Sequence, residues 1–266
     1  MKSCLSALQI NEKEYPPKEV LHTIGRAKDK LMTPEEFIEE YGGNVKMRNI
    51  GKIYKYYQQK LMEYNAVDFD DIINLTVRLL NENPEVGQYY ANKFHYVLVD
   101  EYQDTNRAQY ELITALASGH KNLCVVGDDD QSIYGWRGAD IQNIIDFESQ
   151  YQNCKVIKLE QNYRSTQIIL DAANKIIQNN AKRKGKELWT AQAGGDKICV
   201  FFAENEREEA QFAVSNIKKL QDTEQKKLTD FAFLYRTHTQ SRILEDSLVR
   251  EGIPYRICLL YTSRCV

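Results

Sequence analysis

The sequence predicts an α/β protein: two parallel-sheet units preceded by a small helical region. Three observations carry that prediction. From residue 96 onward, short apolar β-branched runs alternate with amphipathic helical stretches, the rhythm of strand, helix and strand in a sheet covered on both faces. The first sixty-odd residues are polar, tyrosine-rich and helical in pattern. A hydrophobic share of 42% over 266 residues is enough to build real cores.

The helical region comes first. Thr33-Pro34-Glu35-Glu36 reads as N-cap, N1 proline and acidic first turn, so a helix starts there. Gly42-Gly43 breaks the pattern, and a second helix is expected from about Met47 to Tyr64, with Ile50, Ile53, Tyr54, Tyr57 and Leu61 on one face. From Asp68, residues Phe69, Ile72, Ile73, Leu75, Thr76, Leu79 and Leu80 make a helix apolar around much of its girth, which predicts deep burial.

The α/β rhythm follows. Strands are expected at Tyr96 to Val99 and Leu123 to Val126, with a helix between them from about Arg107 to Ala117. A third strand, Val156 to Leu159, precedes Ser165 or Thr166 as N-cap and a helix carrying Ile168, Ile169, Ala172, Ala173, Ile176 and Ile177. After a basic, turn-like segment (Lys182, Arg183, Lys184, Gly185, Lys186) come a strand at Ile198 to Phe202, a helix around Glu206 to Leu220 and a strand at Phe231 to Leu234. A last helix, from about Thr239 to Arg250, ends at Gly252 and Pro254. The boundary between the two units falls near Cys154 to Leu159, and no solenoid-length repeat occurs.

Composition narrows the classes. A net charge of -3 argues against a surface coated in positive charge, while leaving room for a local basic groove. Six cysteines without a C-x-x-C pair read as buried thiols, Cys124 and Cys199 especially, because both sit in apolar runs. No stretch of eighteen apolar residues and no signal-peptide pattern occurs, so no membrane is expected and a cytoplasmic location is.

Ligands of an open parallel sheet bind outside the carboxyl ends of its strands, and here both apolar strands end in acid. The first gives Asp100-Glu101-Tyr102-Gln103-Asp104, the second Gly127-Asp128-Asp129-Asp130-Gln131-Ser132. A nucleotide motor needs one carboxylate for Mg²⁺ and another group to activate water, and Asp100 and Glu101 suit those roles. A lone Asp-Glu pair would more often cap the next helix. Here it has company: the turn from Gly127 to Gly138 interleaves Gln131, Tyr134, Trp136 and Arg137 with glycines, a set suited to stacking on unpaired bases and touching a phosphate. The competing reading packs Tyr134 and Trp136 into the core. After the third strand, Arg164 could reach a γ-phosphate and Tyr163 could lie on a purine, although an isolated arginine is more often a surface ion-pair partner.

These three segments, Asp100 to Asn106, Gly127 to Ala139 and Leu159 to Ser165, closely resemble helicase motifs II, III and IV of the UvrD/PcrA/Rep group of superfamily one. The resemblance extends from about Leu21 to about Ile257 and implies two partial RecA-like domains of P-loop NTPase type with a helical inserted subdomain. It implies residues 1–65 as that subdomain, 66–154 as the first RecA-like domain and 155–257 as the beginning of the second. It implies a 3′–5′ translocase acting on single-stranded DNA and duplex junctions in repair or replication, using ATP and Mg²⁺. By motif position, Asp100 would bind Mg²⁺, Glu101 would activate water and Gln131 would sense the γ-phosphate. Tyr134, Trp136 and Arg137 would touch single-stranded DNA, Tyr163 would stack on adenine and Arg164 would contact the γ-phosphate.

The departures are equally specific. The family's G-x-x-x-x-G-K-[ST] loop, which holds the phosphates, is absent: Gly51-Lys52 and Gly185-Lys186 are followed by Ile53 and Glu187. The family's later motifs are absent too, and residues 258–266 depart from its pattern. The expectation is a piece of a longer protein with uncovered apolar surface and no appreciable ATPase on its own. A catalytically silent single-strand-binding relative and the motor part of a helicase-nuclease are the alternatives.

Overall fold

The computed structural model describes residues 1–151, 153–180 and 185–258, and divides the chain into two compact units, Met1–Gly194 and Gly195–Val266. Among the described residues no helix is long and apolar enough to cross a membrane.

The first unit opens with four helices, α1 (Lys2–Ala7), α2 (Pro17–Asp29), α3 (Pro34–Tyr41) and α4 (Val45–Glu63). Their shared core is Leu5, Val20, Ile24, Phe37, Ile50, Ile53 and Tyr54, with Tyr57 at its margin. The expected start of α3 is a complete capping box: the Glu36 amide donates to Thr33 Oγ1 at 3.2 Å, and the Thr33 amide to Glu36 Oε2 at 2.7 Å.

Next comes α5 (Phe69–Glu82), started by a second capping box between Asp68 and Asp71. Both carboxylates also face Lys28 of α2, whose side chain is 1% exposed and lies 2.6 Å from Asp68 Oδ2 and 2.7 Å from Asp71 Oδ1. Lys28 sits near the Tyr54 and Tyr57 rings as well. The cap of α5 and the attachment of α5 to the helical region are therefore the same two acids.

After α6 (Pro84–Lys93), strands β1 (Val97–Val99) and β2 (Leu123–Val125) flank α7 (Arg107–Ala117). They pair in parallel, with Val97 opposite Leu123, Leu98 opposite Cys124 and Val99 opposite Val125. Two short helices, α8 (Gln142–Ile145) and α9 (Phe147–Gln150), and then α10 (Gln167–Ile177) complete the unit. In the second unit α11 (Glu206–Glu224), capped by Asn205, and α12 (Ser241–Arg250) enclose Val214, Ile217, Leu248 and Ile253. Gly252 takes a φ of +67°, the left-handed turn expected after the last helix.

The structure corrects three expectations. The β1–β2 pair is not covered on both faces: Leu98 is 75% exposed and Cys124 is an exposed thiol, as is Cys199. The helix α5 is not buried around its girth, for only Asp71, Val77 and Leu80 are buried and Phe69 is 87% exposed. Its neighbours α2, α6 and α7 cover one side, and its apolar residues extend beyond that side. The stretches 156–159, 198–202 and 231–234 form no ladder; they carry no regular secondary structure, and Ile157, Val200 and Leu234 are exposed. An apolar run sets which residues avoid water, but a strand also needs a neighbour for its backbone donors and acceptors. Near residues 156–159 the backbone pairing is a single parallel bridge between Gln161 and Trp189. The basic residues Lys182 to Lys184 and the tail 259–266 lie outside the described residues.

Candidate nucleotide and nucleic-acid site

Chain direction changes abruptly where β1 ends. Glu101 adopts φ 51° and ψ 40°, a left-handed conformation uncommon for a side-chain-bearing residue. Its amide donates to Asp100 Oδ1 at 2.9 Å, and both residues are exposed. A short turn, Tyr102–Asp104, follows. The Tyr102 ring is buried edge-on against Phe147, and its amide donates to Val126 O at 3.0 Å, fastening this turn to the end of β2.

Gln103 makes the principal connection. It is 1% exposed, and its Nε2 donates to Glu101 Oε2 at 2.7 Å while its Oε1 accepts the Asp128 amide at 3.0 Å. Its carbonyl accepts from Ser132 Oγ at 3.2 Å. The two strand-end turns are thus tied through one buried amide that donates and accepts at once. Gly127 leaves the space for it, since a Cβ there would lie 2.6 Å from Gln103 Oε1.

Asp128 organises the second turn. Its Oδ2 accepts from Gln131 Nε2 at 2.7 Å, its Oδ1 accepts the Asp130 amide at 3.0 Å, and it forms an ion pair with Lys186. Burial alone would raise this carboxyl; the bonds from Lys186 and Gln131 outweigh it and hold the group below the ordinary carboxylate value. Asp104 goes the other way, raised by burial first and by the Glu101 charge second. The carboxylates of Asp128, Asp129 and Asp130 lie close together, but Asp128 is already committed to Lys186 and Gln131. Asp100 spends one oxygen on the Glu101 amide, and its exposed carboxylate is a hard oxygen donor of the kind Mg²⁺ takes.

A second group lies on the turn Gly135–Arg137. The Tyr134 and Trp136 rings are 6.2 Å apart and tilted by 42°. The Arg137 guanidinium sits 4.7 Å from the Trp136 centroid and 5.3 Å from that of Tyr134. Trp136 and Arg137 are exposed and Tyr134 is half-buried, so Trp136 is not the core residue of the competing reading. The third group stands before α10. Asn162 Oδ1 accepts the Arg164 amide at 2.9 Å and the Ser165 amide at 2.7 Å, fixing the turn. Tyr163 is 75% exposed, and its hydroxyl donates to Gln161 Oε1 at 2.8 Å. Arg164 is exposed. The structure links Asp100, Glu101 and Gln131 into one network and clusters Tyr134, Trp136 and Arg137. Among the described residues no hydrogen bond or ion pair joins the side chains of Tyr163 or Arg164 to either group.

Gln103, Asp128 and Lys186 are the residues that sequence reasoning passed over. Gln103 could have been found, because a lone amide between carboxylates is the residue type able to donate to one turn and accept from another. Lys186 had no local signal; it belongs to the basic, turn-like segment that follows α10 in the sequence.

A parallel strand–helix–strand unit with acidic turns at both strand ends, joined by a buried amide, defines the class: an α/β domain of the RecA-like kind. Comparison with known families fixes the rest. Residues 1–152 match the UvrD/REP helicase N-terminal domain, and residues 157–260 match the UvrD-like helicase C-terminal domain. The chain belongs to the UvrD/REP helicase family. It is 49% identical over 255 residues to the ATP-dependent DNA helicase PcrA of Staphylococcus epidermidis, which is 96% of this chain and 35% of that protein. With the helicase PcrA of Bacillus subtilis it shares 49% over 257 residues, or 97% of this chain and 35% of that protein. The chain therefore spans about a third of the length of these relatives.

Proposed function

We propose that this chain is the central part of an ATP-dependent 3′–5′ DNA helicase that tracks along single-stranded DNA, with residues 1–65 as the inserted helical subdomain, 66–154 in the first RecA-like domain and 155–257 in the second. The observation that carries the reading is the network through Gln103, which ties the turn of Asp100 and Glu101 to the turn of Gln131. Phosphoryl transfer relies on positioning and charge neutralisation, and this network positions an acid and an amide relative to each other. Bound Mg²⁺-ATP would supply the phosphoryl group and neutralise its charge. Asp100 would hold the metal side, Glu101 would take the proton of the attacking water and Gln131 would donate its amide toward the γ-phosphate. Tyr163 offers an exposed ring for the adenine and Arg164 an exposed cation for the γ-phosphate. Trp136 and Tyr134 stack on bases while Arg137 neutralises a phosphate.

The test is a chimera in which residues 21–257 replace the matching segment of the Bacillus subtilis relative. It should hydrolyse ATP when single-stranded DNA is added and unwind duplexes with 3′ tails; Asp100→Asn and Glu101→Gln should each abolish both. Turnover that survives either substitution, or a preference for 5′ tails, refutes the proposal. The 266 residues contain no phosphate-binding loop, which favours a second reading for the chain taken alone: salt-sensitive binding of single strands without ATP turnover. In that assay Trp136→Ala should weaken oligonucleotide binding about tenfold, the contribution of one stacked base. Arg137→Ala should lower the salt slope by about one.

A further inference from the structure

The turn bearing Trp136 and Arg137 leans on a carboxyl group outside the three motifs. Asp29, the last residue of α2, accepts a hydrogen bond on Oδ1 from Asn106 Nδ2 at 2.6 Å. Asn106 meanwhile caps α7, its own Oδ1 accepting the Gln109 amide at 2.8 Å. The other oxygen of Asp29 lies against Gly138, where a Cβ would come within 2.6 Å of Oδ2. Gly138 has a φ of +88° and closes the turn Gly135–Arg137. Two residues further on, the Asp140 amide donates to Thr105 O at 3.0 Å, and Asn143 Nδ2 donates to the same carbonyl. Asp29 therefore touches both sides of the joint: Asn106 on the first strand-end turn and Gly138 at the root of the aromatic turn.

We propose that Asp29 is a positioning residue for the strand-contacting turn, its carboxylate held between Asn106 and Gly138 so that α2 sets the angle at which Trp136 and Arg137 meet single-stranded DNA. This rests on the reading of that turn as a DNA contact.

The electrostatic surroundings make the contact titratable. Asp70 of α5 faces α2, its Oδ2 3.1 Å from the position of a Cβ on Gly25. Burial first, then the Asp70 charge, push the Asp29 carboxyl up to about 6, against the opposing pull of Arg26 and the Asn106 bond. Asp70 is itself raised by burial and by Asp68, while Lys28 pulls it down and Asp71 pushes it up. Asp29 thus loses its negative charge as pH falls through the range just below neutrality, and Gly138 then packs against a neutral carboxyl group.

The experiment reads Trp136 directly. The sequence has two tryptophans, so Trp189→Phe leaves Trp136 as the sole reporter. Its emission and its quenching by iodide are followed from pH 5 to 8 without DNA. A sigmoidal change centred near pH 6 is expected. Asp29→Asn should abolish it, and Asp70→Asn, which removes the repelling charge, should move the midpoint to lower pH. Binding of an oligo-dT strand at pH 7.5 should weaken in Asp29→Asn by up to about tenfold, the loss of one stacked base. A flat profile in the parent, a transition surviving in Asp29→Asn, or an unmoved midpoint in Asp70→Asn overturns the positioning role while leaving the DNA contact standing. Oligonucleotide binding unaffected by Trp136→Ala overturns the DNA contact and this proposal with it.

Discussion

Replacing Gln103 by methionine tests the connection on which the site depends. Methionine keeps the length and most of the volume of the buried side chain but removes its donor and its acceptor. A long contact to Asp104 at 3.5 Å goes, and with it two short hydrogen bonds, to Glu101 at 2.7 Å and from the Asp128 amide at 3.0 Å. Each contributes about 1 kcal/mol net. The Asp128 amide is also orphaned, which costs about 1–3 kcal/mol when fully buried. Asp128 is only half-buried, so the lower end applies and the total is about 2–4 kcal/mol. For a unit spanning Met1–Gly194, that loss corresponds to a fall in Tm of roughly 5–15 °C. Urea unfolding followed by circular dichroism measures the first quantity and a thermal scan the second. In the chimera, Gln103→Met should lower kcat while KM for ATP changes little, because the substitution disturbs alignment of Glu101 and Gln131 at the reacting phosphate and leaves Tyr163 and Arg164 untouched. A variant as stable as the parent, with unchanged kcat, would show that the two turns keep their places without Gln103.

Lys28→Met should be the most destabilising single change in the helical region, by about 3–5 kcal/mol, because it leaves Asp68 and Asp71 facing each other without their cation; the triple variant that adds Asp68→Asn and Asp71→Asn should recover most of the loss in the same urea titration. The Asp68 carboxyl is raised by burial but lowered by Lys28, the Asp71 amide and Tyr57, with a net value below its ordinary 3.8, so this part of the stability is present above about pH 4 and disappears as pH falls through the folded-state value. Thr33→Ala removes the capping box of α3 and should cost about 1 kcal/mol, seen as a small fall in the thermal midpoint with the helical spectrum kept.

How far the fold was legible depended on whether the deciding interaction was local. Helix starts were readable because caps are written within four residues, as at Thr33 and Glu36, or at Asp68 and Asp71. The ends of α7 matched the sequence reading, and β1 and β2 differed from it by one residue each. Tertiary cover was not readable. The apolar girth of α5 and the β-branched segments at 156–159, 198–202 and 231–234 say that these residues favour burial, but not which surface covers them. Phe69, Leu98 and Leu234 accordingly stand exposed.

The site divides along the same line. Asp100, Glu101, Gln131, Tyr134, Trp136 and Arg137 stood out as candidates because each lies at a strand end or in a Gly-rich turn, where side chains are presented rather than packed. What binds them together was written at a distance. Gln103 meets Asp128 across 25 positions, Lys186 reaches Asp128 from the far side of α10, and Asp29 meets Asn106 across 77 positions. In each case one partner is an ordinary surface-type residue by composition, and only the close approach of two turns gives it a task. The glycines record those approaches indirectly. Gly127 and Gly138 are places where a side chain would strike Gln103 or Asp29, so the sequence marks the joints of the site by omission, in the residues that leave room.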